Sequence, residues 1–115
     1  MCIRDSKKPF LATYRAKWDK KYQKKWGLKI VKWGKDKTQE MTLKNYCKNI
    51  FRILNLSGYV RFDLRINSSN DIYFIEANPN PAISNSDEFF KSINLEGISY
   101  EEMIEKVLSL AFSKK

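Results

Sequence analysis

Four residues in this chain have the types and spacing for metal-assisted chemistry: Arg61, Asp63, Glu76 and Asn78. Asp, Glu and Asn offer oxygen donors only. That set suits a hard divalent cation such as Mg²⁺, which takes octahedral oxygen coordination from a few protein groups and phosphate oxygens. An arginine beside them suits developing negative charge, because its planar fork matches phosphate and carboxylate geometry. The residues so outlined could hold a hard divalent cation beside developing negative charge.

These residues need two strands to bring them together. The stretch is GYVRFDLRINSSNDIYFIEANPNPAISNS, from Gly58 to Ser86. Side chains alternate faces along a strand. Arg61, Asp63 and Arg65 therefore share one face of the first run, and Phe62, Leu64 and Ile66 the other. Asn67 to Asp71 is turn chemistry. In the second run Glu76 and Asn78 share a face, with Ile75 and Ala77 opposite. Antiparallel pairing would gather Asp63, Glu76 and Asn78 near one end of the hairpin. Pro79 and Pro81 stop the ladder, since proline has no N–H to donate. On spacing alone, an ordinary amphipathic hairpin with a solvated polar face accounts for these residues equally well.

The rest of the chain frames this hairpin. Its 115 residues make one domain at most. No apolar run is long enough to cross a bilayer and no signal-peptide pattern is present. Cys2 and Cys47 form no CxxC motif, and there is no histidine, which leaves zinc sites and Ser-His or Cys-His catalysis without support. The expected setting is a reduced, soluble, cytoplasmic one. The net charge of +9 is uneven: residues 7–37 carry 12 Lys/Arg and 2 acidic residues. Tyr14, Trp18, Tyr22, Trp26 and Trp33 lie among those lysines. A basic nucleic-acid-binding module, stacking bases on these rings, is the rival reading. No known nucleic-acid motif accompanies it.

Leu11 to Asp19 reads as a strand followed by a loop. Residues 18–40 read as a lid-like loop, with a short strand at Lys29 to Trp33. Thr42 to Leu56 reads as a helix capped by Thr42, with Leu43, Tyr46, Cys47, Ile50, Phe51, Ile53 and Leu54 on one apolar stripe. Gly58 supplies the left-handed turn after it. Cys47 reads as a small core residue. A short helix is expected over Ser86 to Asn94, broken by Gly97. The Ser-x-x-Glu box at Ser99 starts a last helix, with Tyr100, Met103, Ile104, Val107, Leu108 and Ala111 as its stripe. The fold class so read is α+β, an antiparallel sheet with packed helices.

The spaced set Arg61-Phe62-Asp63, Glu76-Ala77-Asn78, Pro81 and Ser86 resembles the C-terminal lobe of ATP-grasp enzymes, in the D-alanine-D-alanine ligase-like branch. The likeness runs from about Leu11 to Phe112. It implies ATP and Mg²⁺ as cofactors, with Mn²⁺ as a substitute. It implies a carboxylate-amine ligase acting through an acyl phosphate on small-molecule substrates, amino acids among them. Asp63 and Glu76 would hold one Mg²⁺, and Glu76 and Asn78 the second. Arg61 would stabilise the transferring phosphoryl group, and Ser86 would hold the second substrate's carboxylate. Tyr-x-Ala-Lys at Tyr14 to Lys17 is similar to a family segment whose lysine reaches the terminal phosphates of ATP. Ile75 matches a position that lies against adenine. Two departures stand out: Thr38 to Met41 replaces a Cys-Pro-Ala stretch, and Ala82 replaces a glycine whose N–H serves the oxyanion hole. A dedicated D-alanine-D-alanine ligase and an amino-acid ligase of another pathway both stay open. The likeness also implies an N-terminal and a central lobe that these residues do not contain, so the chain is expected to be a C-terminal fragment, inactive alone. Residues 1–10 are expected to be non-native or disordered, because Met1 to Ser6 resembles a translated adapter.

Overall fold

The computed structural model describes residues 18–26, 30–34 and 36–113. Among them are four helices and two strands: α1 (Lys20–Trp26), α2 (Lys37–Ile53), β1 (Arg61–Ile66), β2 (Ile72–Asn78), α3 (Glu88–Asn94) and α4 (Tyr100–Phe112). The strands form one antiparallel sheet, so the fold is α+β. Residues 1–10, expected to be non-native or disordered, lie outside the described residues, as does Lys17. No helix among the described residues is long and apolar enough to cross a membrane.

The segment expected to be a lid-like loop contains a helix. The Asp19 Oδ1 accepts from the backbone N–H groups of Lys21 and Tyr22, both at 3.0 Å. These bonds satisfy donors that a helix start leaves unpaired, and Lys and Gln then extend α1 readily. Of the strand expected at Lys29 to Trp33, residues 30–33 are described, and they form no strand; among the described residues the sheet consists of β1 and β2.

Helix α2 starts five residues earlier than the apolar stripe suggests. Its cap is Asp36, whose Oδ1 accepts from Gln39 N–H at 2.9 Å. Thr42 instead lies inside the helix, where its hydroxyl donates to the Thr38 carbonyl at 3.0 Å. The helix also stops before Leu56. Leu56 N–H reaches the Phe51 carbonyl and Asn55 N–H the Arg52 carbonyl, each at 3.0 Å. This is the Schellman pattern, and Asn55 occupies its left-handed position at φ 49°. Asn55, not Gly58, therefore reverses the chain; Gly58 (φ 74°) makes a second turn into β1. Ile53, 80% exposed, and Leu54 fall outside the half-buried stripe, which ends at Phe51.

Asn67 builds the hairpin turn. Its Oδ1 accepts from Ser69 and Asp71 N–H, each at 2.9 Å, and its Nδ2 donates to Asp71 Oδ2 at 2.8 Å. In the ladder Asp63 pairs with Glu76 but Leu64 pairs with Phe74, so Ile75 is an extra residue, a β-bulge. The bulge changes the phase of β2. Asn78, Glu76 and Tyr73 stand opposite Arg61, Asp63 and Arg65, while Ala77, Phe74 and Ile72 stand opposite Phe62, Leu64 and Ile66. The rings of Phe62 and Phe74 meet edge-on at 6.3 Å on the apolar side.

Helix α3 begins at Glu88 and not at Ser86, because residues 84–87 form a turn of their own. Gly97 (φ 82°) separates α3 from α4. The expected capping box opens α4: Glu102 N–H donates to Ser99 Oγ at 3.2 Å, and Ser99 N–H to Glu102 Oε2 at 2.8 Å. Phe90 and Tyr100 join α3 to α4 edge-on at 5.2 Å, and Phe89 meets Tyr59 at 5.7 Å. Pro81 and Met103 are the buried residues among those described.

Candidate functional site

The register brings Arg61 opposite Asn78 and Asp63 opposite Glu76, so all four side chains rise from one face at one end of the ladder. Arg61 grips Asp63 with two charge-assisted bonds, Nε to Oδ1 at 2.9 Å and Nη2 to Oδ2 at 3.2 Å. The same Nη2 stands 3.7 Å from Glu76 Oε1. Burial works against the charged guanidinium, yet the Asp63 bond and charge, with Glu88 and Glu76 behind it, outweigh burial and raise the Arg61 pKa. The side chain is only one-quarter exposed. Asn78 Oδ1 accepts from Asn80 N–H at 3.0 Å, which folds the chain into the proline loop. A carboxamide oxygen has two lone pairs, so one remains for another partner.

Among the described residues there is no cluster of three or more His, Cys, Asp or Glu that could hold a metal. The donor set is two carboxylates and a carboxamide. That composition is oxygen-only, which suits Mg²⁺ or Mn²⁺ and not a softer ion. Asp63 is about one-third exposed and Glu76 more than half, which leaves room for water or phosphate oxygens.

The other predicted residues are placed differently. Ser86 is exposed, and its Oγ lies 3.0 Å from Ser84 Oγ. Ser84 N–H donates to Asp87 Oδ2 at 2.8 Å, and bonds from Ser84 lower the Asp87 pKa. Ile75 is 58% exposed at the bulge. Lys32 lies in the basic segment but is fully engaged. It bridges Glu96 at 3.1 Å and Glu40 at 3.5 Å, and the hydrogen bond it donates to Glu96, then the charge of Glu40, raises its pKa. An open groove of about 380 Å³ lies between α2 and the apolar side of β1, lined by Cys47, Lys48, Phe51, Arg52 and Phe62. Burial pushes the Cys47 thiol up, away from the thiolate form that a nucleophile needs.

Two features escape the sequence reading. The bulge was hinted at: strict alternation would put Ile72 and Phe74 on the face of Glu76 and Asn78. Glu88 gave no signal, since nothing in its spacing links it to Arg61.

A family model described as the D-ala D-ala ligase C-terminus matches residues 7–109. The chain belongs to this family. A D-alanine–D-alanine ligase of Nitrosospira multiformis is 32% identical over 78 residues, covering 68% of this chain and 26% of that protein. One of Burkholderia cenocepacia is 30% identical over 84 residues, covering 73% and 27%. One of Buchnera aphidicola is 31% identical over 78 residues, covering 68% and 25%. The chain thus spans about a quarter of the length of the curated relatives it matches. No solved structure matches it.

Proposed function

We propose that this D-ala D-ala ligase C-terminal region supplies the phosphate and metal site of an ATP-dependent carboxylate-amine ligase, as the C-terminal lobe of an ATP-grasp fold. The observation that carries this is the convergence of Arg61, Asp63, Glu76 and Asn78 on one face of one hairpin end. The reading treats residues 11–115 as one lobe of a longer polypeptide. The exposed apolar side chains of β2, Tyr73 and Ile75 among them, agree with a lobe that works against a neighbour.

In this reading the substrate carboxylate attacks the γ-phosphate of ATP, giving an acyl phosphate and ADP. The amine of the second substrate then attacks the acyl carbon, and phosphate leaves. Asp63 and Glu76 would hold one Mg²⁺, and Glu76 and Asn78 would hold the other. When bound, these ions neutralise charge on the transferring phosphoryl group. Arg61 turns its N–H fork toward the same group, where charge moves during transfer. By the family resemblance, Lys17 would serve the terminal phosphates, Ile75 the adenine edge and Ser86 the second substrate's carboxylate. The relatives are named for joining D-alanine to D-alanine, so D-alanine is the first substrate to test. Ala82 keeps the backbone N–H of the oxyanion hole but narrows the backbone's freedom, which leaves another amino acid as the alternative.

The test is ADP release by the complete polypeptide with D-alanine and magnesium. Asp63→Ala and Asn78→Ala should each abolish it, while residues 1–115 alone should release none. Full turnover in either variant would remove the metal assignment; turnover by 1–115 would remove the need for further lobes.

A further inference from the structure

The groove beside Phe62 lies on the opposite face of the hairpin from the Arg61 group. Phe62 follows Arg61 and precedes Asp63 along β1, so its side chain leaves the other side of the strand. At about 380 Å³ the groove is within the size range of small-molecule sites, ~300–1,000 Å³. Cys47, Phe51 and Phe62 give it apolar surface, and Lys48 and Arg52 give it charge. A row of side chains at helical spacing of four explains why that charge is available: Glu40, Lys44, Lys48 and Arg52 follow one another up α2. The first two pair, Lys44 Nζ with Glu40 Oε1 at 3.3 Å. The last two are exposed at the groove, and among the described residues neither has a carboxylate partner. Like charges at this spacing repel each other. An anion between them removes that repulsion, and the guanidinium fork of Arg52 matches a carboxylate. A small inorganic anion would leave Phe51 and Phe62 in contact with water, so the surface calls for an apolar body as well.

We propose that this groove binds a small amphipathic carboxylate, with its hydrocarbon tail against Phe51 and Phe62 and its carboxylate between Lys48 and Arg52. The site is separate from the proposed phosphate and metal site and does not depend on it.

The probe is octanoate, titrated calorimetrically into the complete polypeptide, with octan-1-ol as the same tail without the charge. Octanoate should bind and should slow iodoacetamide labelling of Cys47, followed by the mass of the peptide that carries it. Lys48→Met and Arg52→Met remove a charge and keep most of the apolar stem. Each should weaken octanoate about 3- to 5-fold, the range of an exposed ion pair, and leave octan-1-ol unchanged. Arg52→Lys keeps the charge and should retain most of the affinity, which separates a lost charge from a disturbed helix. Three results would each overturn the inference: no octanoate binding, wild-type affinity in both methionine variants, or octan-1-ol binding as tightly as octanoate. Displacement of octanoate by an equal concentration of inorganic phosphate would also overturn it, since the groove would then be a plain cationic patch.

Discussion

Replacing Arg61 with lysine separates the two roles of the hairpin. The substitution keeps one positive charge and removes the planar fork. The structure gives that fork two bonds to Asp63, at 2.9 and 3.2 Å, and an approach to Glu76 at 3.7 Å. A lysine ammonium is a point charge on a flexible stem and cannot hold both Asp63 oxygens in one plane. Losing one charge-assisted bond costs on the order of 1.5–3 kcal/mol of stability when the pair is buried. The partial exposure of the pair reduces this to roughly 0.5–1 kcal/mol. The effect on turnover should be larger. A donor aimed at charge that develops only in the transition state is worth on the order of 10²–10³ in rate, or about 2.7–4 kcal/mol at 1.36 kcal/mol per decade. ATP binding engages that donor little, so MgATP affinity should hold while turnover collapses. Glu76→Gln should behave differently: on the proposed site it would remove the charge of the ligand assigned to both ions, and MgATP affinity should fall with turnover. The assay measures MgATP affinity by calorimetry beside steady-state ADP release, for both variants of the complete polypeptide. Turnover near wild type in both would mean that the hairpin is structural and that the site reading is wrong.

Two further outcomes follow from the fold. Met103 is 2% exposed, and Met103→Ala should destabilise the domain by about 2–5 kcal/mol in chemical denaturation; a loss under about 1 kcal/mol would mean that Met103 does not anchor this core. Burial raises the Cys47 pKa above its ordinary 9.0, so Cys47 should alkylate more slowly than a free thiol at neutral pH. The stability linked to this raised value is fully present below pH 9.0 and is lost as pH rises through the folded-state pKa. Iodoacetamide rates measured from pH 7 to 10 check the thiol, and a rate equal to that of the unfolded chain would contradict its burial.

Much of the fold was legible because its signals are local. The Ser99 capping box needs only Ser and Glu three residues apart, and the structure has it. The hairpin needed two alternating runs and an Asn-rich turn, and Asn67 closes that turn by itself. Local reading failed where a stronger cap lay upstream. The stripe pointed to Thr42, but Asp36 satisfies the first-turn donors and the polar residues between them extend the helix at little cost. Asp19 did the same for a segment that reads as a loop. Asn55 took the left-handed position in place of Gly58, because asparagine tolerates that region and came first in the chain.

By itself the sequence determined the chemical types at the hairpin, oxygen donors and one guanidinium, and with them the family to which the chain belongs. It also determined that the two runs would pair across a tight turn. Only the tertiary structure decided the phase of β2. Alternation is a property of one strand, whereas the bulge at Ile75 is a property of a pair of strands. That single extra residue puts Phe74 and Ile72 with the apolar side chains of β1 while Glu76 and Asn78 stay with Asp63 and Arg61. The tertiary structure also set the charge around Arg61. Glu88 is 27 residues away along the chain, yet its charge adds to those of Asp63 and Glu76 in raising the Arg61 pKa.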